Sequence, residues 1–145
     1  MANVINNTFF ILTFFGVVIL NTGCASVRLD KRETIVYGKR SNHDLTYELM
    51  QPKSPNGLGI VFIVSGSWRS NPDDFKPVYG QSFLKRGYTL FAVSHLSQPD
   101  ATIPQIYEDV TVAVQHIRTH AKEYGISPDQ LGVSGASAGG HLALM

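Results

Sequence analysis

Hydrophobic and polar positions alternate along this chain in three different rhythms. Residues 60–64 (Ile-Val-Phe-Ile-Val) and 88–93 (Tyr-Thr-Leu-Phe-Ala-Val) are almost unbroken β-branched and aromatic runs. Runs of this kind read as strands buried on both faces, as in a parallel sheet. Leu45, Tyr47 and Leu49 alternate with Thr46, Glu48 and Met50. That period of two predicts a strand with one face toward solvent. Ile106, Val110, Ala113, Ile117 and Ala121 recur at spacings of three and four, which predicts an amphipathic helix over 102–124. Pro104 suits its first turn and Gly125 its stop.

The weaker signals fill in the rest. Residues 27–40 are mixed and polar, and read as a tether running into a first strand near 34–37. Residues 51–57 form a Pro/Ser/Asn/Gly turn cluster. Asn71-Pro72-Asp73-Asp74 opens a helix of about a dozen residues, stopped by Gly87. Ser127-Pro128-Asp129 turns into a short strand over 130–134. Helices alternating with apolar strands predict an α/β architecture, with a mostly parallel sheet and helices on both faces.

The first 26 residues follow a separate logic. Phe9 to Leu20 is an apolar run of twelve residues, interrupted by Thr13 and Gly16. It is short for a bilayer span and suits the core of a signal peptide. Asn21-Thr22-Gly23-Cys24 resembles a bacterial lipobox, with Asn21 where the pattern has Leu and no Lys or Arg over 1–8. The expectation is a leader over 1–26 and lipidation of Cys24. A cleaved secretory signal, a short uncleaved anchor and an internal helix are the alternatives. The chain is expected to be exported, held at the cell envelope by lipid (at the outer membrane, since uncharged Ala25 follows Cys24) or released to the periplasm or beyond. Cys24 is the only cysteine, so no intrachain disulfide can form in the domain over 27–145. A net charge of +1, with no Lys/Arg cluster, argues against nucleic acid as a partner. No zinc-type Cys/His spacing and no phosphate loop is present, so no metal or cofactor is implied. Oligomeric state is not legible.

Two stretches carry chemistry. The run Leu131-Gly132-Val133-Ser134-Gly135-Ala136-Ser137-Ala138-Gly139-Gly140-His141 passes from an apolar strand through a glycine-flanked serine into a helix start. Gly135-x-Ser137-x-Gly139 is the nucleophile-elbow pattern. A turn that sharp brings the backbone close to itself on both sides of the apex, so side chains at 135 and 139 would clash. The other stretch, Val64-Ser65-Gly66-Ser67-Trp68, follows the first buried strand. Small residues there can turn backbone amides toward a substrate oxygen. The pattern departs from the HGGG type, with Val64 and Ser65 where His and Gly stand and Ser67 where a later Gly stands.

With both stretches in place, the segment from about Tyr37 to Met145 resembles the N-terminal half of an α/β-hydrolase esterase. It is most similar to the hormone-sensitive-lipase-like and bifunctional feruloyl/acetyl-xylan-esterase-like branch. Residues 60–68, 103–109 and 124–143 carry the likeness. The resemblance implies a serine ester hydrolase working through an acyl-Ser137 intermediate on a small-molecule ester. Ala138, Gly66 and Ser67 would supply oxyanion N–H groups. Such enzymes order Ser, then Asp or Glu, then His along the chain, and this sequence ends eight residues after Ser137. The base and its orienting acid are therefore expected beyond Met145, the chain reads as part of a longer hydrolase, and 130–134 is expected as an exposed edge. A non-catalytic truncated or pseudoenzyme envelope protein and a prolyl-oligopeptidase-like serine peptidase stay open as alternatives. His141 is expected within the helix rather than as a base. His116 and His120 are expected on the solvated side of the long helix, and Glu108 and Asp109 are expected to cap or pair at its N-terminus.

Overall fold

The computed structural model describes residues 28–145, so the leader and Cys24 lie outside the described residues. The strands are β1 (Leu29–Arg40), β2 (His43–Pro52), β3 (Gly59–Ile63), β4 (Thr89–Val93) and β5 (Leu131–Gly135). The helices are α1 (Gln81–Leu84), α2 (Ile103–Thr119) and α3 (Ala138–Leu144). One sheet holds the strands in the order β1-β2-β4-β3-β5. It is mixed. β1 and β2 form a hairpin whose two turn residues, Ser41 and Asn42, both have positive φ (47° and 63°), as the twist of a two-residue hairpin demands. β2 runs antiparallel to β4, and β4, β3 and β5 are mutually parallel.

Side chains alternate across this sheet into two apolar layers. Tyr47, Leu49, Val61, Ile63, Phe91 and Val93 face α2 and α3. Met50, Leu90 and Ala92 face the opposite layer, with Phe75 and Leu84. Covering on both sides explains the unbroken apolar runs of β3 and β4. It also corrects the reading of Met50 as solvent-facing: its side of β2 is covered, and Met50 is fully buried. β5 has a single partner among the described strands, and Val133 is 45% exposed there. That agrees with the expected edge.

The long helix forms on its apolar stripe: Ile106, Val110, Ala113 and Ile117 are all buried. Gln105 Oε1 folds back to accept from the Thr102 N–H (2.8 Å) and hydroxyl (2.9 Å), fixing the helix start. It ends at Thr119, earlier than expected, and turns carry the chain on to Gly125 at φ +63°. Leaving the helix there brings Tyr124 Oη to 2.7 Å from Tyr47 Oη.

Two further expectations change. The tether is a full strand: β1 begins at Leu29 and is polar because it is an edge, with Tyr37 buried on its inner side. The dozen-residue helix after Asn71 is broken into two short 3-10 turns, Pro72–Asp74 and Pro77–Gly80, and the single turn of α1. Pro77 is the cause, since it forces Lys76 into an extended conformation (φ −102°, ψ 140°) and lacks the N–H a helix interior needs. Of capping and pairing, the two roles expected of Glu108 and Asp109, the structure shows pairing, with Arg40 of β1. Asp109 points inward, almost fully buried, and its Oδ1 accepts from Arg40 Nε at 2.6 Å, while Arg40 also reaches Glu108 at 3.1 Å.

This pair ties the outer hairpin to α2. Removing the cation leaves a buried carboxylate uncompensated, which typically costs about 3–5 kcal/mol. Arg40→Met should therefore lower the urea-unfolding stability by about 3 kcal/mol, the lower end because Arg40 is a quarter exposed. Asp109→Asn added to Arg40→Met should recover more than half of that loss. Equal stabilities for the single and double variants would show that the pair does not carry this load.

Candidate active site

β5 ends at Gly135, and α3 begins three residues later. Ser137 sits between them at φ 53°, ψ −123°. A non-glycine residue held there is strained by about 1–3 kcal/mol and persists only where its surroundings fix it. The surroundings are two glycines. A Cβ on Gly135 would lie 2.4 Å from the Gly139 carbonyl carbon, and one on Gly139 would lie 2.3 Å from the Ile63 oxygen. Elbow and β3 are thus in backbone-to-backbone contact, and Ser137 stands at the apex of the turn.

The loop after β3 is pulled onto the same turn. Gly139 N–H donates to Ser65 O at 3.1 Å. Beyond Ser65 the chain reverses through Ser67 and Trp68, both left-handed (φ 50° and 61°), and Gly66 and Arg69 close the turn by exchanging backbone hydrogen bonds of 2.9 Å each. This corrects one expectation. The Gly66 N–H is already donated to Arg69 O and is not free to point at a substrate oxygen. The N–H groups of Ser67 and Ala138 have no acceptor among the described residues; Ala138 opens α3, where the first N–H groups lack intrahelical partners. Trp68 packs edge-on against His141, with centroids 5.5 Å apart. His141 thus braces the loop from α3.

Every histidine of the chain is placed, and none bonds to the Ser137 hydroxyl. His43 is on Ser41 O, and His120 is on His116 O. His116 is not simply solvated as expected: its Nδ1 is 3.0 Å from Tyr47 Oη and its ring stacks on His120. Burial first, then the neighbouring His120, holds the His116 pKa below the ordinary imidazole value. His95 is buried, with Nε2 2.8 Å from Ser65 Oγ and Nδ1 2.8 Å from Leu96 O. Burial lowers its pKa too, against a smaller opposing effect of the Leu96 carbonyl. Sequence reasoning assigned no role to His95 or to the Ser65 hydroxyl. The signal available was a histidine two residues past a buried strand, without its partner.

Beside the loop lies an apolar cleft of about 420 Å³, lined by Phe62, Val64, Phe75, Tyr79 and Ala136, with Arg69 and Asp74 among its polar residues. Ala136 immediately precedes Ser137, so an apolar group bound in this cleft lies next to the elbow. The arrangement offers a raised hydroxyl, unpartnered amides and an apolar surface within one small region.

Comparison with known proteins follows the same outline. The BD-FAE family matches residues 47–145. A probable isoprenylcysteine alpha-carbonyl methylesterase from Arabidopsis thaliana is 27% identical over 77% of this chain and 24% of its own length. An acetylxylan esterase from Xylanibacter ruminicola is 33% identical over 63% of this chain and 19% of its own. The structure of a thermophilic esterase from Thermogutta terrifontis superposes with a TM-score of 0.69 at 32% identity, covering 77% of this chain and 42% of that one. The chain therefore spans about a quarter of the first curated relatives it matches, and less than half of that solved structure.

Two outcomes follow from this geometry. Gly139→Ala should destabilise the protein by about 3 kcal/mol or more, since backbone blocks the new methyl group. Gly66→Ala, with nothing within 4 Å of its Cβ, should stay within about 0.5 kcal/mol; equal losses in urea unfolding would contradict this contact map. The second concerns pH. The folded-state pKa values of His95 and His116 lie below the ordinary value of about 6.5, so between them the unfolded chain binds more protons. Stability should be fully present above about pH 6.5 and fall as the pH drops through the lowered folded values. Replacing both imidazoles, by His95→Gln and His116→Gln, should flatten the decline below about pH 6.5 in thermal melts. An unchanged slope would exclude these two groups as its source.

Proposed function

Because the chain belongs to the BD-FAE family of α/β-hydrolase-fold esterases, we propose that it carries the nucleophile half of a carboxylic ester hydrolase. The observation that supports this reading most is Ser137 at φ 53°, ψ −123°, raised between two glycines whose replacement would force the backbone apart, at Gly135 from the start of α3 and at Gly139 from β3. The Ser137 hydroxyl attacks the ester carbonyl and forms an acyl-Ser137 intermediate with release of the alcohol. Water then releases the acid. The free N–H groups of Ala138 and Ser67 are the donors available to the oxyanion. A small-molecule ester is the substrate class, in keeping with the acetylxylan esterase and the methylesterase among its relatives.

A serine hydroxyl needs a base to attack at neutral pH. The five histidines of the chain are all engaged elsewhere. The base and its carboxylate partner are accordingly proposed to come from residues other than these 145, in the Ser, Asp/Glu, His order of the fold.

The test is hydrolysis of p-nitrophenyl acetate. The 145-residue chain alone should not exceed the residual level of a hydrolase lacking a triad member, about 10³–10⁴ over water. The protein extended through a downstream Asp/Glu and His should turn over. Ser137→Ala should then lower kcat by about 10⁴–10⁶-fold, while His141→Phe, which keeps an aromatic ring against Trp68, should leave kcat within about threefold. Turnover by the extended protein that survives Ser137→Ala would sink the assignment of the nucleophile. Enzyme-like turnover by the unextended chain would place the base within it.

A further inference from the structure

We propose that His95 is a positioning residue for the oxyanion loop, acting through the Ser65 hydroxyl. The proposal rests on the ester-hydrolase reading of Ser137, because that is the reaction the loop serves.

The loop is a poor candidate for holding its own shape. Its tip, Ser67–Trp68, has two adjacent non-glycine residues in the left-handed region. Each costs about 1–2 kcal/mol there, where Asn-Gly or Gly-Gly is the usual choice. Such a turn persists only if its neighbours over-determine it. The segment after β4 provides that hold. Gln98 N–H donates to Trp68 O at 3.0 Å, and Ser70 N–H donates to Ser97 Oγ at 2.9 Å. His95 alone grips both ends of the loop. Its ring meets Ser65 Oγ at 2.8 Å, and its backbone N–H donates to Ser70 Oγ at 3.3 Å. Ser70 Oγ in turn donates to Val64 O at 2.5 Å.

The ring bond has a defined direction. Leu96 O can only accept, so the His95 Nδ1 that faces it at 2.8 Å carries the proton. Nε2 then presents a lone pair, and Ser65 Oγ must be the donor. Two consequences follow. The Ser65 hydroxyl proton is fixed toward His95 and is withheld from a substrate oxygen. Ser65 is also held at two points, by its hydroxyl on His95 and by its carbonyl on Gly139 N–H of the elbow. The Ser67 amide, two residues on, takes its place from this clamp. In HGGG-type loops a glycine stands at this position, and a serine there brings a hydroxyl that requires a partner. His95 supplies it and turns that requirement into a brace. His95 bonds to Ser65 and Leu96, not to Ser137, so its part is positioning.

The experiment uses Ser65→Ala, Ser65→Thr, His95→Phe and the Ser65→Ala/His95→Phe double variant in the hydrolytically active protein, with p-nitrophenyl acetate. Removing one oxyanion donor costs about 10²–10³ in kcat, so loosening one should cost less. Ser65→Ala and His95→Phe should each lower kcat by about 10–100-fold with KM within about threefold. The double variant should be no worse than the more severe single, because both break one bond. Ser65→Thr keeps the hydroxyl and should restore kcat to within about threefold. Amide hydrogen exchange supplies a second readout: in Ser65→Ala, the Gly66 and Arg69 amides that close the turn should exchange about tenfold faster or more, with β3 and β4 amides unchanged. Unchanged kcat in folded Ser65→Ala, a loss confined to KM, or additive losses in the double variant would overturn the proposal. If the wild type shows no Ser137-dependent hydrolysis, the esterase reading fails by itself, and exchange still judges the brace: unmoved Gly66 and Arg69 amides would overturn it as well.

Discussion

The backbone contact between Gly139 and the Ile63 carbonyl sets the geometry of the elbow and of the loop beside it. A single methyl group at 139 would lie 2.3 Å from that oxygen. Because it is absent, α3 can start directly against the end of β3, and the turn from β5 can be tight enough to hold Ser137 at positive φ. The same closeness lets the Gly139 N–H reach Ser65 O, so the loop after β3 is fastened to the turn after β5. Sheet order matters here, because β3 and β5 must be parallel neighbours for their C-terminal ends to meet.

Around that contact the molecule arranges polar groups where an apolar core would be simpler. Arg40 and Asp109 join the outer hairpin to α2. Tyr37 Oη donates to Ser94 O at 2.6 Å, and Ser94 is followed by His95, whose ring holds Ser65. These links run from the edge hairpin, through the end of β4, to the loop beside Ser137. A buried polar group is costly unless it is bonded and directional once it is. The Ser94 carbonyl and the His95 ring lie where a loop of fixed shape is needed. Val61, Phe91, Ile106 and Ile117 fill the interior between the sheet and α2.

Legibility in the sequence tracked the distance between partners. The α2 stripe, the buried character of β3 and β4, and the need for glycine at 135 all arise from contacts within a helical turn, from alternation along a strand, or from a turn of a few residues. Pro77 was also a local signal, and it broke a helix that the surrounding composition favoured. By contrast, His95 and Ser65 are 30 positions apart, and Arg40 and Asp109 are 69 apart. Nothing in a sequence window marks one as the other's partner. Asp109 therefore read as a residue of a helix N-terminus, and Ser65 as a substitute for glycine.

The strand–turn–helix around Ser137 is legible in the chain itself, because steric exclusion at Gly135 is internal to the turn, whereas that at Gly139 comes from Ile63 of β3. The two-sided burial of β3 and β4 is legible too, because hydrophobic periodicity follows directly from backbone geometry. Which amides beside the serine stay free is settled only by folding. Gly66 and Ser67 are equivalent candidates along the chain. The turn closed with Arg69 takes the Gly66 N–H and leaves that of Ser67 unpartnered. Which acceptor takes a backbone N–H depends on how the chain folds back in space.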